Sequence, residues 1–475
     1  MGRILPLALA LSACAGGPVT GGDELHVGVA VRDITPPDGY PMSGYYHERG
    51  ATGVRDPLHA KAIVFRQGGV VAALVMTDLC GVSADLSGEA RRRASERSGI
   101  PASNIAVAAT HTHTGPEYYR DLREHLASPK PASYAERLVE ETAKSVVDAL
   151  AAAKPARLRA GKGLQEAEIS FCRRFVMKDG TTKTWANFKD PNTVKAEGPV
   201  DPEVAVLLVG EPPSAALVNF ALHLDTLGGT KWSADYPHDL EESLRAELGK
   251  GFVSIFANGC CGDINHVNPR SSERNKTDVI GRALAATVKS ALPKLETLGR
   301  PSLGVRSGTV RVPLQEATPE ELARAKAEVV RSKKGEKLPF LDEVKAYKIL
   351  ELDHLRNGPR DPEIGRLVQW GMSASLHGVG DRIPLEVQAI RLDADTAIVT
   401  LPGEVFVELG LAIKKGSPFK NTFVVELANV VETIYIPTQR AYPGGSYEVT
   451  NSVLKPGGGE MLVDEALRLL RDLRL

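Results

Sequence analysis

Two of the chain's eleven histidines stand one residue apart in Thr110-His111-Thr112-His113-Thr114, directly behind the apolar run "NIAVAA". The apolar run "ALVNFAL" ends at His223, with Asp225 two residues on; "TAIVTLPG" ends at Glu404, and "FVVELAN" runs on towards Tyr435. Imidazoles and carboxylates delivered at the ends of apolar strands suit a metal centre, because sites in α/β sheets gather at the C-terminal strand edge. A catalytic zinc takes three or four nitrogen and oxygen ligands and keeps a position for water. In an extended segment, residues i and i+2 point to the same side. His111 and His113 could therefore both ligate one zinc, or one could bind metal while the other faces substrate. A lone histidine is more often a satisfied core or surface residue. The pair, taken with His223 and Glu404, favours a metal site.

The segments around these residues alternate between strand and helix. Residues 25–33 ("LHVGVAVRD"), 62–66 and 70–78 read as strands, the last two joined by a hairpin at Gly68-Gly69. Residues 86–98 and 134–152 have helical spacing, as do 240–248 and 277–295. Between them, residues 204–209 and 215–222 and the run "FVSIFA" are apolar strands. Strands apolar on both faces imply a sheet covered on both sides. Residues 318–360 change to charged helix formers, which predicts a helical insertion carried as a solvated, salt-bridged pair. β-rich sequence returns with "LEVQAIRL" and "TFVVELAN", and residues 463–473 close the chain as an amphipathic helix. No internal repeat and no convincing linker divides residues 25–475. The expected fold class is mixed α/β (α+β): one large domain with a mixed β-sheet core and flanking helices.

The 475 residues carry a formal net charge of −1, which gives no reason to expect a nucleic-acid or other polyanionic partner. No apolar run reaches the roughly 20 residues of a membrane helix. The first residues predict export: Arg3 precedes the short apolar stretch "ILPLALAL", and Leu11-Ser12-Ala13-Cys14 resembles a bacterial lipoprotein box. Residues 1–13 would be a signal peptide, Cys14 the lipidated first mature residue, and 14–24 a small-residue tether. A lipid-anchored protein of the bacterial cell envelope, periplasmic or at the cell surface, is expected, touching membrane only through that anchor. A plain secretory signal is the alternative. Cys80, Cys172, Cys260 and Cys261 lack CxxC spacing, so buried thiols or a single bridge are expected rather than a disulfide scaffold or thiolate metal site.

Several stretches resemble the catalytic region of the neutral/alkaline ceramidases, zinc-dependent hydrolases of the amide bond in ceramide. They include "VGVAVRDITPP", "THTHTGP", "LHLDTLGG", "GCCGDINHVNP", "LPGEVFVELG" and "YIPTQRAYPGGSYE", and span almost all of the sequence behind the tether. The resemblance implies Zn2+ held by His111, His223, Glu404 and Tyr435. It leaves His113 to face the substrate and makes Tyr447 a second hydrogen-bond donor at the carbonyl. Arg173 in "SFCRRF" matches an arginine near the reacting group, with Arg174 as the competing alignment. On this reading zinc supplies hydroxide near neutral pH, and His113 and Tyr447 stabilise the oxyanion. His113 would also protonate the leaving amine. No GxSxG elbow is present, which disfavours a serine triad.

Three features separate the chain from those ceramidases. Asn265 stands where their Gly-Asp loop carries a serine; it can orient substrate but cannot act as a nucleophile. The sequence ends without their C-terminal β-sandwich domain. Aromatic content is 5%, and no apolar stretch looks suited to docking on lipid. The substrate is therefore expected to be a small-molecule or lipid N-acyl amide. Esters, lactones or cyclic amides cleaved at the same site are an alternative, and so is a non-catalytic zinc- or ligand-binding lipoprotein. Asp235, His238 and Asp239 could support the metal or start a helix, His266 could line the pocket, His47 could lie over it, and Asp78 could orient a ligand or cap.

Overall fold

A computed structural model describes residues 24–359 and 373–474. The expected signal peptide, Cys14 and the tether up to residue 23 lie outside the described residues, as does residue 360 of the helical segment.

Three sheets meet around one core. In the first, β1 (His26–Asp33), β2 (His59–Gln67), β3 (Val70–Thr77), β4 (Ile105–Ala109) and β5 (Lys154–Pro155) lie in the order β4-β3-β2-β1-β5. The second contains β6 (Leu158–Leu164), β11 (Glu203–Val209), β12 (Ala215–Phe220), β13 (Val253–Asn258) and β15 (Glu296–Thr297), ordered β13-β12-β11-β6-β15. The third runs β16 (Gly304–Pro313), β17 (Arg382–Arg391), β18 (Thr396–Thr400), β20 (Asn421–Val425). Short ladders fill the space between: β7 (Phe171–Cys172) with β14 (Ile264–Asn265), and β19 (Glu404–Val405) with β21 (Tyr435–Ile436). A small meander places β8 (Arg174–Met177) between β9 (Thr182–Thr184) and β10 (Thr193–Ala196).

The two-residue period of a strand explains why these strands are apolar throughout. Ile63 and Phe65 of β2, Leu217 of β12 and Ile398 of β18 share the central core, while Val64, Val218 and Val399 turn outward to three separate outer cores. Each fully buried Leu, Ile, Val or Phe contributes roughly 1.5–3 kcal/mol over its exposed state. Helices α1 (Ala84–Ser98) and α3 (Tyr134–Ala151) cover the first sheet, with α2 (Tyr119–Ala127) beside them; α4 (Tyr236–Leu248) and α5 (Thr277–Ala291) cover the second. The third is covered by α8 (Val407–Gly416) and α10 (Gly458–Arg474), together with a helical pair, α6 (Pro319–Lys333) and α7 (Phe340–Asn357). A Thr318/Glu321 capping box starts α6. The pair is less solvated than its charge pattern predicts: Tyr347, Leu350 and Leu355 of α7 are buried against the third sheet, and Lys348 and Glu351 are paired out of water.

Each sheet contains one parallel pair: β3 with β4, β12 with β13 and β18 with β20. Helices α1, α4 and α8 make the three crossovers. The C-terminal ends of these strands are stitched together across the sheets. Asn219 Nδ2 donates to the Val424 carbonyl, Ala109 N to Leu427 O, and Glu426 N to Asn258 O. The chain leaving β4, β12 and β18 therefore arrives at one place, and there the histidines and Glu404 lie.

Candidate metal centre and active site

His111 follows β4 by two residues and takes a left-handed backbone, φ 80°, rather than the extended one that the i, i+2 argument assumes. Hydrogen bonds set this turn. Thr110 N donates to Thr77 O, His111 N to Leu79 O, and the Thr110 hydroxyl to Asp78. His111 Nδ1 lies 2.5 Å from the Cys80 carbonyl, which fixes the ring and aims Nε2 inward. The two histidines still converge, with their Nε2 atoms 3.3 Å apart, but through a turn rather than a strand.

His223 Nε2 lies 3.0 Å from His111 Nε2, and Glu404 Oε2 lies 3.3 Å from His111 Nε2 and 3.9 Å from His223 Nε2. Ligands roughly 2.0–2.1 Å from a tetrahedral zinc stand about 3.4 Å apart, so these separations suit one ion. All three side chains are buried. Glu404 Oε2 has no hydrogen-bond partner, an orphaned acceptor that a cation would satisfy. Tyr435 is the register partner of Glu404 in the β19–β21 ladder, which brings a buried phenol to the same edge. Two imidazoles, a carboxylate and a phenol form a nitrogen–oxygen set that zinc accepts. The electrostatics agree. Burial depresses His111, but the Glu404 carboxylate and its other partners outweigh burial and hold it well above the usual range, whereas burial and the charge on His111 push His223 and His113 down. The cluster favours one positive charge at its centre.

The surroundings are built to hold this geometry. Ile434, a β-branched residue, sits at φ 50° immediately before Tyr435, and Ser446 at φ 74° immediately before Tyr447. Such backbones cost on the order of 1–3 kcal/mol each and persist only where neighbours impose them. Gly262 passes so close to Glu404 that a Cβ there would lie 2.6 Å from the Glu404 carbonyl oxygen. Asp263 accepts from Val407 N at the start of α8, while Asp235 caps α4 and also accepts from Thr226 and Leu227 just after His223. Asp78 serves Thr110 and the His59 amide, not a histidine ring of the centre.

Glu426 escaped the sequence reading, although a carboxylate ending the buried run "FVVEL" was a visible signal. It is fully buried, accepts from Val405 N at 2.6 Å and Cys261 N at 3.2 Å, and burial pushes it up to about 8. The Cys261 backbone in turn hydrogen-bonds the His223 ring. One side chain thus fixes the strand of one ligand and the support of another. Glu426→Gln turns an amide N–H towards one of those two donors, and we expect metal affinity to fall about 10–100-fold, as for other groups that orient ligands. Competition with a chromophoric chelator measures this; an unchanged affinity removes Glu426 from the support.

Arg173 and Arg174 separate cleanly. Arg173 is buried and donates to the Tyr435 hydroxyl (3.0 Å), the Gly262 carbonyl (2.7 Å) and Glu448 (2.8 Å). Arg174 turns away to Glu197 and the other oxygen of Glu448. Tyr447 opens the short helix α9 (Tyr447–Thr450), its ring 5.5 Å from that of Tyr435. Two cavities meet at His113, Tyr435 and Tyr447. The outer, about 400 Å3, is walled by Tyr45, His47, Arg173, Trp185 and Phe340; the inner, about 80 Å3, by Cys80, Tyr119, Glu351 and Glu432. His47 does lie over the site, on the outer wall. Asn265 lines neither cavity: it pairs with Phe171 in the β7–β14 ladder and its side-chain oxygen accepts from Val267 N. His266 is buried outside both. The four cysteines among the described residues, Cys80, Cys172, Cys260 and Cys261, are free thiols.

No family model matches the chain, and no curated protein sequence matches it. Solved structures do, among them two ceramidases. One is the crystal structure of a neutral ceramidase from Pseudomonas aeruginosa, with a TM-score of 0.68, 19% identity, and 95% of this chain covering 75% of that one. The other is a ceramidase complexed with C2, with a TM-score of 0.68, 19% identity, and 95% of this chain covering 76% of that one. The chain has the fold of these neutral ceramidases.

Proposed function

We propose that the chain is a zinc-dependent hydrolase of N-acyl amides. One observation carries the reading: His111 Nε2, His223 Nε2 and Glu404 Oε2, delivered from three different sheets, come within 4.8 Å of one another in a buried site. The likeness to the two ceramidases supports amide as the bond, because ceramide is an N-acyl amide. His111, His223, Glu404 and Tyr435 would hold the metal, which supplies Lewis acidity when bound, lowering the pKa of water to about 7 and polarising the carbonyl.

The chain's own groups do the rest. Tyr447 O–H, on the wall shared by both cavities, donates to the carbonyl oxygen as it gains negative charge; removing such a donor costs about 10²–10³ in rate. His113 Nε2 faces the same space and carries a proton to the leaving nitrogen, which cannot depart as an amide anion. Arg173 holds the Tyr435 hydroxyl in place.

The test is metal analysis of the purified chain, followed by a panel of N-acyl amides that includes a short-chain ceramide, with matched esters and lactones, before and after chelation. Amine release that a chelator abolishes and zinc restores is the expected result. Hydrolysis of esters alone would replace amide with ester in the reading, and a protein that retains no metal would end it. The location at the cell envelope is proposed from residues 3–14 alone; mass spectrometry of the mature N-terminus from a membrane fraction should find a diacylglyceryl group on Cys14, and an unlipidated chain from the soluble fraction would dismiss the anchor.

A further inference from the structure

Aromatic residues are scarce in the sequence, yet the fold collects several at the mouth of the site. Trp185 and Phe340 are 50% and 43% exposed, high for such large apolar side chains. Their ring centroids are 6.0 Å apart. Each also meets Tyr447, Trp185 at 4.8 Å and Phe340 at 5.6 Å in a stacked arrangement, and Tyr447 meets Tyr435 at 5.5 Å. A continuous run of rings thus leads from solvent to the metal centre. Trp185 stands just past the β8–β9 hairpin at φ 59°, and Phe340 is the first residue of α7. Trp185 N donates to the Arg173 carbonyl, which ties that turn to the wall of the site.

The other side of the outer cavity is polar. Asp225 Oδ1 lies 3.7 Å from His113 Nδ1 and accepts the Tyr45 hydroxyl; Glu343, one turn beyond Phe340 on α7, also lines the cavity. The two sides match the two arms of an amide. Tyr447, the donor to the carbonyl oxygen, has the rings beside it; His113, the proton carrier to the nitrogen, has the carboxylate beside it. We propose that Trp185, Phe340 and Tyr447 form the acyl subsite, and that it takes a compact aryl group such as phenylacetyl. This rests on the amide-hydrolase reading. Rings gain from offset or edge contacts with three neighbours at these separations. An alkyl chain longer than the aromatic patch would meet Glu343, one turn beyond Phe340, and strip water from its carboxylate, which is unfavourable.

The experiment uses the full-length chain and one amine acylated with acetyl, phenylacetyl or palmitoyl groups. The parent should prefer phenylacetyl. Trp185→Ala and Phe340→Ala should each lower the phenylacetyl-to-acetyl ratio of kcat/KM about 3–10-fold, mainly through KM. A palmitoyl preference, or a ratio untouched by either variant, overturns the subsite. Saturable quenching of Trp185 fluorescence by phenylacetamide, with Trp185→Phe as the blank, reads binding without turnover. If no amide is hydrolysed but that quenching persists in the parent and weakens in Phe340→Ala, the reaction fails and the subsite stands. Hydrolysis with no quenching fails the subsite alone.

Discussion

His223→Ala is expected to lose both metal and activity, whereas His113→Ala keeps the metal and loses only turnover. His223 is buried and His113 only partly so, but both line the outer cavity and both bring Nε2 close to His111, so proximity alone does not separate them. Their partners do. His223 lies with His111 and Glu404 in one ligand group, and its ring is anchored by the Cys261 backbone. His113 groups with His111 and Cys80, a free thiol in place of the carboxylate, and its other nitrogen faces Asp225. Removing His223 should weaken metal binding by more than the roughly 10–100-fold that loss of a supporting group costs. Removing His113 should leave zinc content near one per chain while kcat falls about 10²–10³, the usual loss for one group acting on the transition state. Zinc content and single-turnover rates on both variants measure this. A His113→Ala protein without zinc would make His113 the ligand and reverse the assignment.

Much of this candidate centre was legible because each candidate ligand ends an apolar run, and an apolar run that stops at a polar side chain marks a strand end. His111, His223 and Glu404 were found that way. The sequence could not show that three sheets converge; that depends on Asn219 and Asn258 bonding across sheets, contacts that no local pattern encodes. The i, i+2 argument placed the His111 and His113 rings together, as they are, but from a backbone that His111 does not adopt. Periodicity assumes regular geometry, and a left-handed residue is the kind of exception that functional sites retain.

Trp185 and Phe340 show a different limit. Neither sits in an apolar stretch, so a search for exposed hydrophobic runs passes over both. Their neighbourhood exists only because α7 packs on the third sheet and thereby brings its first turn over Tyr447. Asn265 was overread for the opposite reason: a position matched within a motif does not fix a side chain's direction, and here the β7–β14 ladder turns the amide into its own loop.

Glu448→Ala should produce the largest loss of stability. The carboxylate is wholly buried and accepts from Arg173 Nε at 2.8 Å, Arg174 Nη1 at 2.7 Å and the Thr184 hydroxyl at 2.6 Å. Burial alone would raise its pKa, but the two guanidinium groups outweigh burial and hold it below the usual carboxylate range. Truncation leaves two buried cations short of a partner, and breaking such a pair typically costs about 3–5 kcal/mol. Arg174 keeps Glu197, so most of the penalty falls on Arg173, whose other hydrogen-bond partners among the described residues are the Gly262 carbonyl and the Tyr435 hydroxyl. Stability and site geometry should therefore fail together: a lower unfolding midpoint with weaker metal retention. The sign of the pH dependence follows from the lowered pKa. The stabilisation is complete above the ordinary value of 4.5 and is lost as pH falls through the depressed one, so the gap between parent and Glu448→Gln should stay constant from pH 7 to near 4.5 and close below it. A gap that instead widened in acid would mean that the carboxyl is protonated in the folded chain, and the pair would then be a neutral hydrogen bond rather than the clamp on Arg173.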